Sequence, residues 1–221
     1  ESGIPGMAAV SPVVAQTMGG EDRGSDVTVR TLTRGDTELD STLLQQIAAL
    51  HKDAFSDGKP TCCCLTQSMK EIHTTFQKGL SESPDSKLEA FACAVDASGN
   101  LLGYAMLGFH DTPGDVTMRD FKWLQQIPHQ GTCHLEQIAV SAKARGKGVG
   151  KKLLIWADTK ARERGCKHMS LEVISRNTNA KAIYEKGGYV TQNTCLRHFY
   201  MCPLLCCLVR VPYLYTMVKQ L

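Results

Sequence analysis

The chain has no apolar run long enough to span a bilayer, no internal repeat and no lopsided charge. Its formal net charge is +3 over 221 residues. That is too mild to imply a nucleic-acid partner, so positive charge matters only where it clusters. Near its start there is no basic region followed by a long apolar stretch, and no Arg-rich amphipathic helix. Secretion and organelle import are therefore unsupported, and the expectation is a cytoplasmic protein. Spaced pairs of Cys or His at metal-ligand distances are also missing: Cys202-x-x-x-Cys206 stands without a second pair, so no metal is expected. The sequence has 10 cysteines, but Cys62, Cys63 and Cys64 are consecutive, as are Cys206 and Cys207. Cys93, Cys133 and Cys166 sit in or beside apolar segments, where a reduced thiol packs as a small hydrophobe.

What is present suits a globular chain able to bury a core: hydrophobic residues are 43% and charged residues 21%. The length fits one domain. Residues 1–26 are rich in Gly, Ala, Ser and Val without helical periodicity, and read as a flexible tail. In it Glu1–Gly6, ahead of Met7, reads as an expression remnant or the end of a processed precursor. Residues 27–221 are expected to form the folded domain.

Alternation predicts a first strand over Asp26–Thr33. Helices are expected from Asp40, an N-cap candidate, to Phe55 and from Ser68 to Leu80. Leu88–Asp96 and Leu101–Phe109, two nearly continuous apolar runs around Ser98-Gly99-Asn100, predict a central antiparallel hairpin. His134–Val140 is a strand. A glycine loop follows it, then a helix with Val149, Leu153, Leu154, Ala157 and Ala161 on one face, closed by Gly165, then a strand over His168–Ile174. That strand–helix–strand crossover makes its two strands parallel. A short helix over Asn177–Lys186 and strands near Tyr189–Thr194 and Pro212–Lys219 complete the chain. The fold class is α/β: a mixed, mostly antiparallel sheet with helices on both faces.

The glycine loop, Ala144-Arg-Gly-Lys-Gly-Val-Gly-Lys-Lys152, is the most chemical stretch. It is not a P-loop, since Arg145 stands where the first glycine belongs and Lys152 where Ser or Thr belongs. It is not the dinucleotide fingerprint either, since Lys151 takes the place of the third glycine. It does satisfy Gln/Arg-x-x-Gly-x-Gly/Ala through Arg145, Gly148 and Gly150. Small residues let such a loop curve around a pyrophosphate, whose oxygens then meet the first helical N–H groups and the positive end of the helix dipole. Arg145, Lys147 and Lys151 add charge-assisted bonds. The bland alternative is a solvated basic turn.

The order Ile138-Ala-Val140, the loop, Leu171-Glu-Val173, Asn177 and Tyr184-Glu-Lys-Gly-Gly-Tyr189 resembles the GNAT superfamily of acetyl-CoA-dependent N-acetyltransferases. The resemblance runs over Val27–Leu221 and is most specific from Leu135 to Val190. It implies a cleft where the two parallel strands splay, with acetyl-CoA as co-substrate. Backbone of Ile138, Ala139 and Val140 would bind the pantetheine arm like an added strand. The amides of Arg145, Gly146, Lys147, Gly148, Val149 and Gly150, with Lys151, would hold the pyrophosphate. Asn177 would bond the pantetheine, or simply cap a helix. Tyr184 matches the tyrosine that protonates the coenzyme thiolate, against a structural role as a buried aromatic. Three residues compete for the general base: Glu136, Glu172 and His134. Glu136 shares a face with His134, Ile138 and Val140 unless a bulge intervenes.

The implied reaction is transfer of acetyl to a primary amine. In this family the acceptor is chosen by the loop after the first helix, here Ser56–Gln67, and by the segment before the last strand, here Thr191–Val211. After Glu185 there is no Asp or Glu. A polyamine or aminoglycoside is thereby disfavoured, and a small apolar or aromatic amine or a peptide amine preferred. Residues 202–211 offer an apolar stretch for membrane contact, with a packed strand or loop the better reading. Monomer and homodimer both stay open. The alternatives are a non-catalytic acyl-CoA-binding domain acting through a partner, and a nucleotide binder without transfer chemistry.

Overall fold

The computed structural model describes residues 27–38, 41–55, 68–112, 114–116, 127–195 and 214–221. The expected tail, the Asp40 cap, the loop 56–67 and residues 196–213 lie outside the described residues. The central hairpin forms as its turn chemistry dictates. Asp96 Oδ1 accepts from the N–H groups of Ser98 and Asn100, both at 2.9 Å, and Gly99 takes φ +80°. The turn joins β2 (Phe91–Val95) to β3 (Leu101–Phe109). β1 (Thr28–Thr31) pairs antiparallel to β2, and β4 (Thr132–Val140) antiparallel to β3.

Among the described residues five α-helices flank the strands: α1 (Thr42–Phe55), α2 (Met69–Ser81), α3 (Asp85–Glu89), α4 (Val149–Glu163) and α5 (Thr178–Lys186). Ser41 caps α1, its Oγ accepting from the Leu44 N–H at 3.3 Å. Ser68 and Glu71 cap α2 reciprocally. The strands β5 (His168–Ile174), β6 (Val190–Cys195) and β7 (Leu214–Gln220) complete a seven-stranded sheet in the order β1-β2-β3-β4-β5-β7-β6. Within it β4 and β5 are the parallel pair, as the crossover requires.

Each face of the sheet carries its own core. Against α4 and α5 lie Ala92, Ala105, Leu107, Cys133, Leu135, Leu153, Met169, Leu171 and Met217. Against α1 and α2 lie Leu44, Ile47, Phe76, Leu80, Phe91, Cys93, Tyr104 and Met106. Burying each large aliphatic side chain stabilises by roughly 1.5–3 kcal/mol. Cys93, Cys133 and Cys166 are free and buried, as their apolar settings imply. α4 approaches the sheet closely because Gly103 has no side chain. A Cβ there would lie 2.7 Å from the Ala139 carbonyl oxygen and 3.1–3.2 Å from Leu153 and Val149.

Two readings need correction. Leu88 and Glu89 belong to α3, and the strand begins at Phe91. Pro84 at the helix N-cap and Asp85 in the first turn start a helical turn where apolar content alone suggested strand. The second correction concerns β4. Its register with β3 runs Met106↔Gln137 and then Leu107↔Leu135, so Glu136 is an unpaired bulge residue. Leu135 and Cys133 face α4, yet so do Ile138 and Val140, while Ala139 faces α1 and α2. Glu136 and His134 therefore do not share a face with Ile138 and Val140.

Candidate functional site

The parallel pairing of β4 with β5 is short. Thr132–Leu135 register against His168–Leu171, and no pairing continues beyond them. β5 runs on through Glu172, Val173 and Ile174, paired with β7 along its other edge. From the bulge onward the β5-facing backbone of β4 has no strand partner among the described residues. The Glu136 side chain is only 4% exposed although the residue as a whole is half-buried, so it is the main chain that meets solvent. An extended ligand could hydrogen-bond there as an extra strand.

At the end of β4 the chain turns through Ser141 and a 3-10 turn (Ala142–Ala144) into the glycine loop. Gly146 and Gly148 have φ of +76° and +79°, a left-handed conformation that side chains resist. Gly148 is the N-cap of α4 and supplies no side-chain cap. The first helical bond is donated by Lys152 to the Gly148 carbonyl at 3.0 Å. The N–H groups of Val149, Gly150 and Lys151 precede that bond, and point outward from the helix start. Arg145, Lys147 and Lys151 are exposed around them. A Cβ on Gly150 would meet nothing closer than Val140 Cγ2 at 3.6 Å, an ordinary contact. The fold itself does not require glycine at that position; an anion seated against the backbone would.

The α1/α2 face of the opening is polar. Lys87 Nζ donates to Glu136 Oε2 at 2.6 Å and to the Leu107 carbonyl at 3.0 Å. Burial lifts the Glu136 carboxyl to about 7, with Lys87 pulling it down and Asp115 pushing it further up. Its Oε1 is buried without a hydrogen-bond partner. His134 lies in the paired half of β4, buried, with Nδ1 2.9 Å from Ser170 Oγ. Alternation puts Ser170 and Glu172 on this same face, because Met169, Leu171 and Val173 belong to the opposite core. The structure thus gathers His134, Glu136 and Glu172 on one side of the sheet.

A hydrogen-bonded chain runs beside them. Gln137 Nε2 donates to Asp115 Oδ2 at 2.7 Å, and Tyr104 Oη donates to Gln137 Oε1 at 2.9 Å. With its proton so used, Tyr104 accepts from His51 Nδ1 at 2.8 Å, which leaves His51 Nε2 as the acceptor nitrogen. Burial pushes the His51 imidazole below its ordinary value, with Asp115 and Gln137 pulling the other way.

Tyr184 belongs to the opposite core, where it meets Tyr189 edge-on with ring centroids 5.8 Å apart. It is 8% exposed, and burial holds its phenol protonated, pushed up to about 12. Asn177 caps α5, its Oδ1 accepting from the Ala180 N–H at 3.1 Å. A separate cavity of about 490 Å³ opens at the far ends of β4 and β5, lined by His110, Arg164 and Lys167 among others. It contains none of the residues above.

Lys87, Gly108, His51, Tyr104, Gln137 and Asp115 join this site with no warning from the sequence. Only the apolar setting of Tyr104 and Gln137 in their strands hinted at burial.

Residues 44–189 match the model of the acetyltransferase (GNAT) family. The streptothricin acetyltransferase of Streptomyces lavendulae is 32% identical over 109 residues, 49% of this chain and 48% of that protein. The mycothiol acetyltransferase of Paenarthrobacter aurescens (strain TC1) is 29% identical over 106 residues, 48% of this chain and 29% of that protein. The chain thus spans about half the length, or less, of these relatives. Among solved structures, the NatC complex bound to Gag peptide and CoA covers 89% of this chain and 99% of its own at a TM-score of 0.58 and 18% identity. The ribosomal-protein-S18-alanine N-acetyltransferase of Escherichia coli covers 88% and 93% at a TM-score of 0.53 and 16% identity. At such identities the likeness is one of fold. With the family model spanning about two thirds of the chain, including β2 to β5, the glycine loop and α5, the chain belongs to the GNAT acetyltransferase family.

Proposed function

We propose that the chain is an N-acetyltransferase that moves the acetyl group of acetyl-CoA to a primary amine by direct attack. The observation that carries this reading is the end of β4–β5 pairing at Leu135 and Leu171, next to a helix start with free amides. One feature suits the pantetheine arm and the other the pyrophosphate. The pyrophosphate rests on the 145–151 loop, and the backbone of Ile138, Ala139 and Val140 takes the pantetheine. Asn177, already used as a helix cap through Oδ1, closes the turn beside it.

Glu136 serves as the base. A carboxylate with a proton affinity raised near neutrality is suited to take a proton from an ammonium. Because its Oε1 is enclosed, the proton travels through water. The amine nitrogen bonds the thioester carbon, the carbon–sulfur bond breaks, the departing thiolate takes a proton from Tyr184, and the second proton of the nitrogen leaves through water to restore the tyrosyl hydroxyl. Glu172 and His134 are the alternatives for the base. His134 is the weaker, its Nδ1 bonded to Ser170 in the closed half of the strand pair. The acceptor is an amine of small apolar, aromatic or peptide character, since the segment after Glu185 has no carboxylate.

The test is release of free CoA thiol from acetyl-CoA across a panel of arylalkylamines, polyamines, aminoglycosides and short peptides, beside CoA binding by wild type and Arg145→Glu. Turnover with one class names the acceptor. CoA binding without turnover on any amine favours the non-catalytic reading, and affinity unchanged in Arg145→Glu refutes the pyrophosphate assignment.

A further inference from the structure

A lysine with no exposed surface is expensive unless something inside needs its charge. Lys87 is such a residue, with a side chain 0% exposed. It comes from the short helix α3, passes beneath β3 and ends on two acceptors, the Leu107 carbonyl at 3.0 Å and Glu136 Oε2 at 2.6 Å. Both belong to the irregularity between β3 and β4, since the register shift falls between Met106 and Leu107 opposite Glu136. The third wall is Gly108, where a Cβ would overlap Glu136 Oε1. The carboxylate is thus clamped through one oxygen, while the other lies over a glycine, buried and without a partner. A buried acceptor left open is a place for a donor that arrives later, here the water that relays the proton of the acceptor's ammonium.

We propose that Lys87 is the positioning residue of the active site: it fixes Glu136 at the bulge by Oε2, keeps it ionised, and leaves Oε1 to receive the proton. This rests on the reading of Glu136 as the base. The charges felt by the carboxyl are Lys87 from α3 and Asp115 from the segment between β3 and β4. Cys133 on β4 couples to it as well. Of these Lys87 alone favours the ionised form, so its removal must raise the proton affinity of Glu136.

The experiment replaces Lys87 by Met, which keeps the length of the stem and removes the charge. The Glu136 carboxyl is followed by 13C NMR across pH, and the pH profile of kcat/KM is measured with the amine found in the panel. The expected result is a Glu136 midpoint raised by about 1–3 pH units, with the acid limb of kcat/KM moving by the same amount and the rate recovering at high pH. An unmoved midpoint overturns the proposal. A midpoint that moves without the acid limb shows that Glu136 is not the base, and removes the role of Lys87 with it. The NMR arm needs no substrate, so absence of turnover in wild type defeats the functional reading separately.

If Lys87→Met does not fold, Gly108→Ala tests the same geometry with Lys87 in place. Its methyl group displaces Oε1, so turnover should fall at least tenfold with CoA affinity unchanged. Wild-type turnover in that variant overturns the clamp.

Discussion

The two faces of the central sheet are built from different materials. Against α4 the sheet presents Ala92, Ala94, Ala105, Leu107, Leu135 and Leu171, and the helix answers with Val149, Leu153, Ala157 and Ala161. Small residues on both sides draw the helix in close, which holds the glycine loop at the end of β4. Against α1 and α2 the sheet buries Lys87, His134, Gln137 and the Glu136 side chain among aromatic rings. Buried polar groups cost free energy unless satisfied, and these are paired into short chains. One face is specified by packing and the other by hydrogen bonds and charge. On the proposed function, the donor site inherits the rigidity of the first, and the acceptor site the chemistry of the second.

Substitutions on each face should therefore fail in different ways. The largest effect is expected for Glu136→Gln, with kcat/KM falling about 10²–10⁴-fold while CoA affinity is kept. Steady-state kinetics beside CoA titration checks this, and a loss of stability with turnover intact would break the division of labour. On the other face, Leu153→Ala should cost about 2–5 kcal/mol of stability in chemical denaturation. Its kinetic defect should be in the KM for acetyl-CoA, because Leu153 sets how close the loop's helix lies to Gly103. A defect confined to kcat would contradict that. The smallest change is Tyr104→Phe, which strips one hydroxyl from the chain between His51 and Gln137. About 1–3 kcal/mol of stability should be lost through the stranded partners, with CoA affinity unchanged. A loss of CoA affinity there would mean that the two faces are not independent.

Local features were the legible ones. Alternation and helical periodicity located the strands and the apolar stripe of α4 because each depends on neighbours within a few residues. The glycine loop was readable for the same reason: its left-handed positions at Gly146 and Gly148 can be occupied cheaply by one residue type. The bulge at Glu136 carries no such mark, since HLEQIAV alternates plausibly in either register. Lys87 stands just ahead of the apolar run that begins at Leu88, with nothing beside it in sequence to mark it as buried, and only the passage of β3 overhead makes it interior. Asp115 sits in a stretch with no pattern at all. The parts of the site that long-range contact creates were invisible until the strands were paired.

The extra residue in β4 also acts as a change of parity. Before it, even-numbered residues look toward α1 and α2; after it, even-numbered residues look toward α4. Deleting Glu136 would restore an unbroken ladder and keep every later side chain of the strand on its present side, whereas flattening the bulge with all residues kept would send them to the wrong side. A tidier sheet would thus be one without Glu136, and shortening the strand at this point should spare the fold while removing the carboxylate proposed as the base.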